Sequence, residues 1–213
     1  VLGQVANIQP GNYLASDVEL LQSGKHPGKT NITDADNSLN ILRYFTDRPT
    51  VVIVKHNNPC GVARADSLAD AYHKANMADR VAAFGGCIAC NRPVDKVTAE
   101  AICRQYAEVV VAPEFEEGVM DLFGRKKNLR VMRIGNIERL QGFVGKTFVD
   151  LKSLVDGGII AQWSFVPVTR GAAELASRPA GAEFEVRQGE SVVKSGTTPA
   201  KFADLPTGAY QVL

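Results

Sequence analysis

The chain has 213 residues, of which 45% are apolar and 22% are charged, and its formal net charge is +1. This length suits one domain or a domain with a small module, and the apolar share supports a packed core, which argues against wholesale disorder. Neither a basic excess nor a run of roughly 18 apolar residues is present, so we expect no nucleic-acid partner and no membrane span.

The N-terminus lacks a basic n-region and an apolar h-region, so we expect no signal peptide. The cysteines lie in the middle of the chain, in or beside apolar runs: Cys60, Cys87, Cys90 and Cys103. In an α/β protein that is not secreted, this placement predicts reduced thiols rather than a disulfide framework. We therefore expect a cytoplasmic protein.

The first predicted helix opens within residues 31–36, with Thr33 or Asp34 as its N-cap. The four β-branched residues from Val51 to Val54 follow and predict a strand that is buried on both faces. The Asn, Pro and Gly residues between 57 and 61 are turn formers, so this strand is expected to end there. The next two residues after the run, Lys55 and His56, would then stand at the carboxyl end of a central strand, where open α/β sheets bind ligands.

Helices and strands alternate through the rest of the first 165 residues. A second helix begins at Asp66 or Ser67, and a third begins after Asp95. A fourth is predicted over 114–127, because acids in its first turn and bases in its last turn match the helix dipole. Strands are predicted at 87–90, 108–113, 129–134 and 157–162. This alternation predicts an α/β layered sandwich.

The composition changes after about residue 165. Residues 177–187 alternate as a half-buried antiparallel strand does, and turn residues separate further short strands. We therefore place a domain boundary near residue 170, with a first domain over 1–165 and a small all-β module over 170–213.

Several motifs occur in a defined order between residues 25 and 164. They are Asn31-Ile-Thr-Asp-Ala-Asp36, Lys55-His-Asn-Asn-Pro-Cys-Gly61, Ala83-Phe-Gly-Gly86, Asn91, Val94-Asp95, Thr98-Ala99, Val111-Ala-Pro113 and Gly157-Gly-Ile-Ile-Ala-Gln162. In this order they resemble the first transformylase subdomain of the bifunctional AICAR transformylase/IMP cyclohydrolase family of purine biosynthesis. The C-terminal tail resembles a PEGA-type β module.

The resemblance implies a three-layer αβα sandwich of cytidine-deaminase-like fold and a homodimer with sites at its interface. It implies formyl transfer from the co-substrate 10-formyltetrahydrofolate to the exocyclic amine of AICAR. Lys55 and His56 carry over as the catalytic pair. The residues that carry over as substrate contacts are Asn58, Gly85, Gly86 and Glu108.

The sequence also departs from the family. The family's Arg-Tyr-Gly-x-Asn-Pro-His-Gln segment, its cyclohydrolase domain and its second transformylase subdomain are not found. We therefore expect only about half of the formyl-transfer site in this chain. The alternative function is a catalytically inactive nucleotide-binding or scaffold remnant.

The amine of AICAR is a poor nucleophile, so formyl transfer needs a base and a nearby cation. His56 has the side-chain type suited to base catalysis near neutral pH, and Lys55 can place positive charge where negative charge develops. Neighbouring strand residues point to opposite faces, so both reach one ligand only if the backbone turns here. The alternative is a surface lysine beside a structural histidine; the motif context favours function.

The paired glycines have two interpretations. Gly85 and Gly86 form a turn that needs positive φ, or they bring backbone N–H groups close to a phosphate or a base. The resemblance favours the second interpretation.

A zinc deaminase is the third function considered, because Cys87-x-x-Cys90 is similar to part of the signature His-x-Glu with Pro-Cys-x-x-Cys. No glutamate stands two residues after His56, and a strand would point Cys87 and Cys90 to opposite faces. We therefore expect small buried side chains at these positions and no metal.

Overall fold

A computed structural model of the chain describes residues 14–164 and five later strand segments, at 171–175, 183–188, 191–197, 200–205 and 211–212. The chain divides into two compact units between Val144 and Gly145. This division falls earlier than the boundary near residue 170, which rests on composition alone. The extents given above for the first domain, 1–165, and for the β module, 170–213, stay predictions.

The first unit is built on one six-stranded mixed sheet. Its strands are β1 (Glu19–Gln22), β2 (Thr50–Lys55), β3 (Asn58–Arg64), β4 (Cys87–Cys90), β5 (Val109–Ala112) and β6 (Arg130–Arg133). They lie in the order β1-β6-β5-β4-β2-β3. The three strands β4, β5 and β6 are parallel, whereas β2 runs antiparallel to both β3 and β4, and β1 runs antiparallel to β6.

Helices cover both faces of this sheet. They are α1 (Lys29–Leu42), α2 (Leu68–Ala78), α3 (Arg80–Ala83), α4 (Lys96–Cys103) and α5 (Val119–Gly124), with short 3₁₀ helices at Ala15–Asp17 and Ile137–Phe143. One buried cluster joins the sheet to α2, α3, α4 and α5, and the other joins it to α1 and the second 3₁₀ helix. The first unit is therefore an α/β sandwich of three layers.

The predicted strand after residue 50 is confirmed as β2, which is buried on both faces. Val51 and Ile53 pack in one cluster, and Val52 and Val54 pack in the other. Each face of the strand meets a helical layer, so an unbroken run of β-branched residues is stable here.

The helix starts are partly as predicted. Ser67 caps α2 and accepts a hydrogen bond from the Asp70 N–H, and Asp95 caps α4. The predicted cap of α1 is wrong, because α1 begins at Lys29 with Gly28 at the N-cap position. The Asn31 side chain accepts the Gly28 N–H at 3.0 Å. Thr33 and Asp34 therefore lie inside the helix, and neither side chain caps its N-terminus.

The long helix predicted over 114–127 is also wrong, since α5 covers only Val119–Gly124. Phe115 instead forms a parallel bridge with Val94, so the acidic segment before the helix is extended. Gly118 has φ of +81° and ends that extended segment at the helix start. The predicted match to the helix dipole holds at one position only. Asp121 lies in the first turn of α5, whereas Glu114, Glu116 and Glu117 precede the helix and the bases from Arg125 onward follow it.

All regular secondary structure in the described part of the second unit is β-strand. The strands are β7 (Val149–Ser153), β8 (Ile159–Trp163), β9 (Gly171–Leu175), β10 (Glu183–Gln188), β11 (Ser191–Thr197), β12 (Ala200–Leu205) and β13 (Gln211–Val212). β7 pairs with β8, β9 pairs with β12, and β10 lies between β11 and β13. Phe184 and Val186 are buried while Glu183 is exposed, so the predicted alternation is confirmed within β10. The rest of that predicted strand, 177–182, and the turn at 189–190 lie outside the described residues.

Among the described residues, no helix combines the length and the apolar character that crossing a bilayer requires.

All four thiols are free, and they differ in burial. Cys87 and Cys90 are fully buried in β4 on opposite faces of the sheet, so they cannot ligate one ion together. Burial raises the pKa of Cys90 to about 12 and raises the pKa of Cys87 as well. Cys60 and Cys103 are only half-buried.

We expect iodoacetamide at pH 8 to alkylate Cys60 and Cys103 in the native chain, and to reach Cys87 and Cys90 only after unfolding. The thiolate is the reactive form, and burial both blocks access and disfavours that form. Peptide mass spectrometry with and without guanidinium chloride measures the four rates. Native labelling of Cys87 at the rate of Cys60 would contradict the burial of β4.

Candidate functional site

The six predicted site residues lie at one edge of the sheet, and the strand directions explain why. Val54 of β2 pairs with Cys87 of β4, and Cys87 pairs with Val109 of β5. Since β2 is antiparallel to β4, its carboxyl end meets the amino ends of β4 and β5. The expected position of the site is therefore corrected in two respects. The site lies at the end of the sheet where the parallel strands β4 and β5 begin, and not where they end. Strand β2 is also not central, because only β3 separates it from the margin of the sheet.

The backbone turns at His56, as shared access to one ligand requires. Lys55 pairs with Asn58, so His56 and Asn57 form a two-residue hairpin turn with φ of +52° and +62°. Two consecutive positive φ values are typical of a type I′ turn. The expectation that the strand ends at these turn formers is confirmed, because β2 ends at Lys55, and the chain then returns at once as the edge strand β3.

Asp34 of α1 holds this turn in place. One carboxylate oxygen accepts the Asn57 N–H at 2.7 Å, and the other accepts the His56 N–H at 3.3 Å. The Asp34 side chain is buried, and Asn37, one helical turn later, donates to the Asn57 side chain at 2.9 Å. Helix α1 therefore fixes the conformation of the turn from one side.

The catalytic candidates differ in how firmly they are held. The Lys55 ammonium donates to the Phe84 carbonyl at 2.8 Å, which directs it to the segment that carries the paired glycines. The His56 side chain is exposed, and its imidazole has no hydrogen-bond partner among the described residues. Asn58 donates from its side chain to the His56 carbonyl at 2.9 Å. The imidazole is therefore available to a ligand.

Both interpretations of the glycine pair can be compared with the geometry. Gly85 has φ of +78°, and a Cβ atom there would lie 3.3 Å from the Tyr106 ring. A Cβ atom on Gly86 would lie 3.1 Å from the Val54 carbonyl oxygen. The two N–H groups donate to the carbonyls of Tyr106 and Ala83. The positive φ accounts for Gly85, and close packing against Val54 accounts for Gly86. The N–H groups of both glycines already have partners within the chain.

Glu108 stands directly before β5 and is held by two side chains. Its Oε2 accepts a hydrogen bond from Asn31 at 3.0 Å and lies 3.6 Å from the Arg130 guanidinium. Its Oε1 has no partner among the described residues and would lie 4.0 Å from a Cβ atom on Gly85. The carboxylate is thus anchored by one oxygen and open at the other.

Sequence reasoning missed the roles of three residues at this edge: Asn31, Asp34 and Arg130. Asn31 and Asp34 are buried and lie three positions apart, which places them on one face of α1. Two polar residues at this spacing, on a helix face that also carries the apolar residues Ala35 and Leu39, could have indicated that Asn31 and Asp34 are buried. Arg130 is buried at the start of β6 and also donates to the carbonyls of Lys25 and Asn128.

Among the described residues, no group of three or more histidine, cysteine, aspartate or glutamate side chains is placed to hold a metal ion. The site is a set of polar side chains at one edge of an α/β sheet: a cation, an exposed imidazole and an anchored carboxylate.

A comparison with family models identifies the family to which this fold and site belong. The model described as AICARFT/IMPCHase bienzyme matches residues 4–188. The chain therefore belongs to the AICARFT/IMPCHase bienzyme family, and the predicted family is confirmed.

Similar proteins carry the name bifunctional purine biosynthesis protein PurH. The one from Caldicellulosiruptor bescii is 42% identical over 139 residues, which are 65% of this chain and 26% of the relative. The one from Acetivibrio thermocellus is 45% identical over the same shares. The one from Magnetococcus marinus is 38% identical over 165 residues, or 77% of this chain and 30% of the relative. The chain thus spans about a quarter of the length of the first two.

Proposed function

We propose that this chain contributes half of a site for formyl transfer from 10-formyltetrahydrofolate to AICAR, in the de novo synthesis of IMP. The family membership and the grouping of Lys55, His56 and Glu108 at one sheet edge support this proposal. A cytidine-deaminase-like fold, a homodimer and a cytoplasmic location belong to the same proposal.

The observation that carries the proposal is the conformation of His56. A non-glycine residue with positive φ is unfavourable, and type I′ turns prefer Asn-Gly, Asp-Gly or Gly-Gly. His56 nevertheless occupies the first turn position with φ of +52°, and its imidazole is exposed and without a hydrogen-bond partner among the described residues. A purely structural histidine at this position would gain nothing from the turn. Backbone strain of this kind is concentrated at functional sites.

In the proposed mechanism His56 takes a proton from the exocyclic amine as that amine attacks the formyl carbon. The tetrahedral intermediate then breaks its bond to N10 of the co-substrate, and N10 takes up a proton as tetrahydrofolate leaves. Lys55 places its ammonium beside the developing negative charge. Glu108 uses its open oxygen to contact the ribose or the base, while Asn31 and Arg130 fix its orientation. Gly85 and Gly86 are nucleotide contacts only by the family resemblance, and Asn58 supports the turn.

The alternative function is an inactive nucleotide-binding or scaffold remnant. The N–H groups of Gly85 and Gly86 donate within the chain, so this pair offers a nucleotide no free backbone donor, and this observation favours the alternative.

One set of variants tests both functions. We expect His56→Ala to lower formyl transfer by about 10²-fold or more, because it removes the proposed base. AICAR binding should weaken in Lys55→Ala and Glu108→Gln. His73→Ala is the matched control, since His73 is an exposed histidine on α2. Turnover is measured with AICAR and 10-formyltetrahydrofolate, and binding by calorimetry.

The outcomes separate the alternatives. Wild-type binding of AICAR without turnover supports a nucleotide-binding remnant, whereas no AICAR binding contradicts formyl transfer and leaves the scaffold remnant. Unfolding of His56→Asn gives an independent check on the strain. Asparagine tolerates positive φ better than histidine, so this variant should be at least as stable as the wild type while it loses the base.

A further inference from the structure

Lys55, the proposed cation of the site, is held at its tip by one hydrogen bond among the described residues. Its ammonium donates to the Phe84 carbonyl at 2.8 Å, and no carboxylate in the described part of the chain forms an ion pair with it. A lysine stem is flexible, so an ammonium without such a contact would move among many positions. The position of the charge therefore depends on the position of the Phe84 carbonyl.

Phe84 follows directly after α3, a helix of one turn that has little packing of its own. Of its four residues only Ala83 is buried, and Val81 is 87% exposed. A single helical turn is unstable in isolation, because it fixes several backbone dihedral angles for one hydrogen bond. The conformation of α3, and with it the direction of the Phe84 carbonyl, therefore depends on polar contacts.

Asp79 supplies the polar contacts at the start of α3. One of its carboxylate oxygens accepts the N–H groups of Val81 and Ala82 at 3.1 and 2.9 Å. Its backbone carbonyl accepts the Ala83 N–H at 2.9 Å. Two of the N–H groups that no helical carbonyl can accept are thus bonded to one side chain. Asp79 is therefore the residue that keeps this turn helical.

Two further hydrogen bonds fasten the segment that carries Phe84. The Gln105 side chain donates to the Arg80 carbonyl at 3.2 Å, and the Gly85 N–H donates to the Tyr106 carbonyl at 2.8 Å. Phe84 lies between these two points, and its ring centroid is 5.3 Å from that of Tyr106. These contacts hold the two ends of the segment, whereas the capping carboxylate orders the turn between them.

We propose that Asp79 is a positioning residue for Lys55: its carboxylate caps α3, and the capped helix places the Phe84 carbonyl where it holds the ammonium. The inference rests on the proposed function of Lys55 in formyl transfer, but the position of the ammonium is measured without substrate. The Phe84 carbonyl is a neutral acceptor, so it directs the ammonium and leaves its positive charge in place. This charge can then stabilise the negative charge that develops on the formyl oxygen.

The charge of Asp79 has to be separated from its capping oxygen. Asp79 and Lys55 both act on the Cys60 thiol, whose pKa is raised mainly by burial, raised further by Asp79 and lowered by Lys55. A direct electrostatic effect of Asp79 on Lys55 is therefore the alternative to an effect through α3. Asp79→Asn distinguishes the two, since asparagine caps a helix about as well as aspartate but carries no charge.

Acetylation of the Lys55 amine is the measurement that needs no substrate. The full chain is treated with limiting acetic anhydride, and peptide mass spectrometry gives the rate at Lys55 relative to the exposed Lys74 of α2. An ammonium that donates to a carbonyl has to break that bond before its nitrogen attacks a reagent. We therefore expect the relative rate to rise roughly three- to tenfold in Asp79→Ala and to stay within about a factor of two of the wild type in Asp79→Asn.

Asp95→Ala is the matched control, because Asp95 caps α4 beyond the carboxyl end of β4, at the other end of the sheet. It removes a similar cap and should leave the Lys55 rate at the wild-type value. Amide exchange at Val81 and Ala82 shows whether the cap of α3 is lost in Asp79→Ala and kept in Asp79→Asn. An unchanged Lys55 rate in Asp79→Ala would overturn the proposal. An equal rise in Asp79→Asn would assign the effect to charge and refute it as well.

Kinetics then connect the position of the ammonium with formyl transfer. Asp79→Ala should lower kcat roughly tenfold or more and change KM for AICAR less than about threefold, because the ammonium acts on charge that develops only in the transition state. Asp79→Asn should restore most of kcat. A wild-type chain without turnover contradicts the proposed function, and the acetylation rates still decide the role of Asp79. A raised acetylation rate with unchanged kcat would keep Asp79 as the residue that positions Lys55 and contradict the role of Lys55 in transfer.

Discussion

Replacing Gly61 by alanine is expected to lower the free energy of unfolding by about 3 kcal/mol, because the added methyl group has no space. Gly61 lies in β3 where the backbone of α2 crosses it. A Cβ atom there would stand 1.9 Å from the Ala75 carbonyl oxygen and 2.8 Å from the Ala75 carbonyl carbon. Both atoms belong to a helix backbone, so the clash can be relieved only by moving α2 away from the strand.

Such a movement would also open the core. Ala71 and Ala75 of α2 are fully buried, and they pack in the same cluster as Val51 and Ile53 of the neighbouring strand β2. Separating helix and strand loses these contacts, so the expected destabilisation is at the upper end of the usual range for overpacking.

Gly135→Ala is the matched control for this substitution. Gly135 is exposed, its φ is not in the left-handed region, and nothing lies within 4 Å of an added Cβ atom. We expect a change within about 0.5 kcal/mol. Urea unfolding of both variants, with comparison of midpoints at equal slope, provides the measurement. Equal midpoints for the two variants would show that α2 does not contact β3 as described.

Gly61 also shows why the edges of the sheet were harder to predict than its centre. The inner strands β2, β4 and β5 are short, mainly apolar runs because both of their faces are covered, and such runs are visible in the sequence. The edge strand β3 contains asparagine, proline and glycine, which also occur in turns. Only its pairing with β2 shows that this segment is a strand and not a loop. The other edge strand, β1, was not predicted.

The members of the candidate site follow from the sequence and stay predictions, whereas the contacts that hold them could not be predicted. The order of the family motifs was enough to single out Lys55, His56 and Glu108. The antiparallel direction of β2, which brings these residues to one edge, depends on tertiary pairing and has no local signal. The same holds for Arg130, which reaches Glu108 from the start of β6.

Asp34→Ala is expected to lower the free energy of unfolding by about 2–4 kcal/mol and to release the turn at His56. The Asp34 carboxylate accepts two backbone N–H groups, from His56 and Asn57, and its side chain is buried. Hydrogen bonds to a charged group contribute about 1.5–3 kcal/mol each, and an unsatisfied buried donor costs about as much. Without the carboxylate, both donors of a turn with positive φ lose their partners.

Asp34→Asn separates charge from shape at this position. An asparagine side chain keeps the size but offers one acceptor, so its amide group must face one of the two N–H donors. We therefore expect this variant to be destabilised by roughly half as much as the alanine variant or more. Asn40→Ala is the control, because Asn40 is an exposed polar residue on the same helix.

The site offers a second measurement on the same variants. If Asp34 positions His56 through the turn, its loss should reduce formyl transfer or AICAR binding even at temperatures where the chain stays folded, since the imidazole is then no longer held in one place. Amide exchange at His56 and Asn57 reports the turn directly, and it should accelerate in both Asp34 variants but not in Asn40→Ala. Unchanged exchange at these two amides would mean that the type I′ turn is stable by itself, and α1 would then have no part in positioning Lys55 and His56.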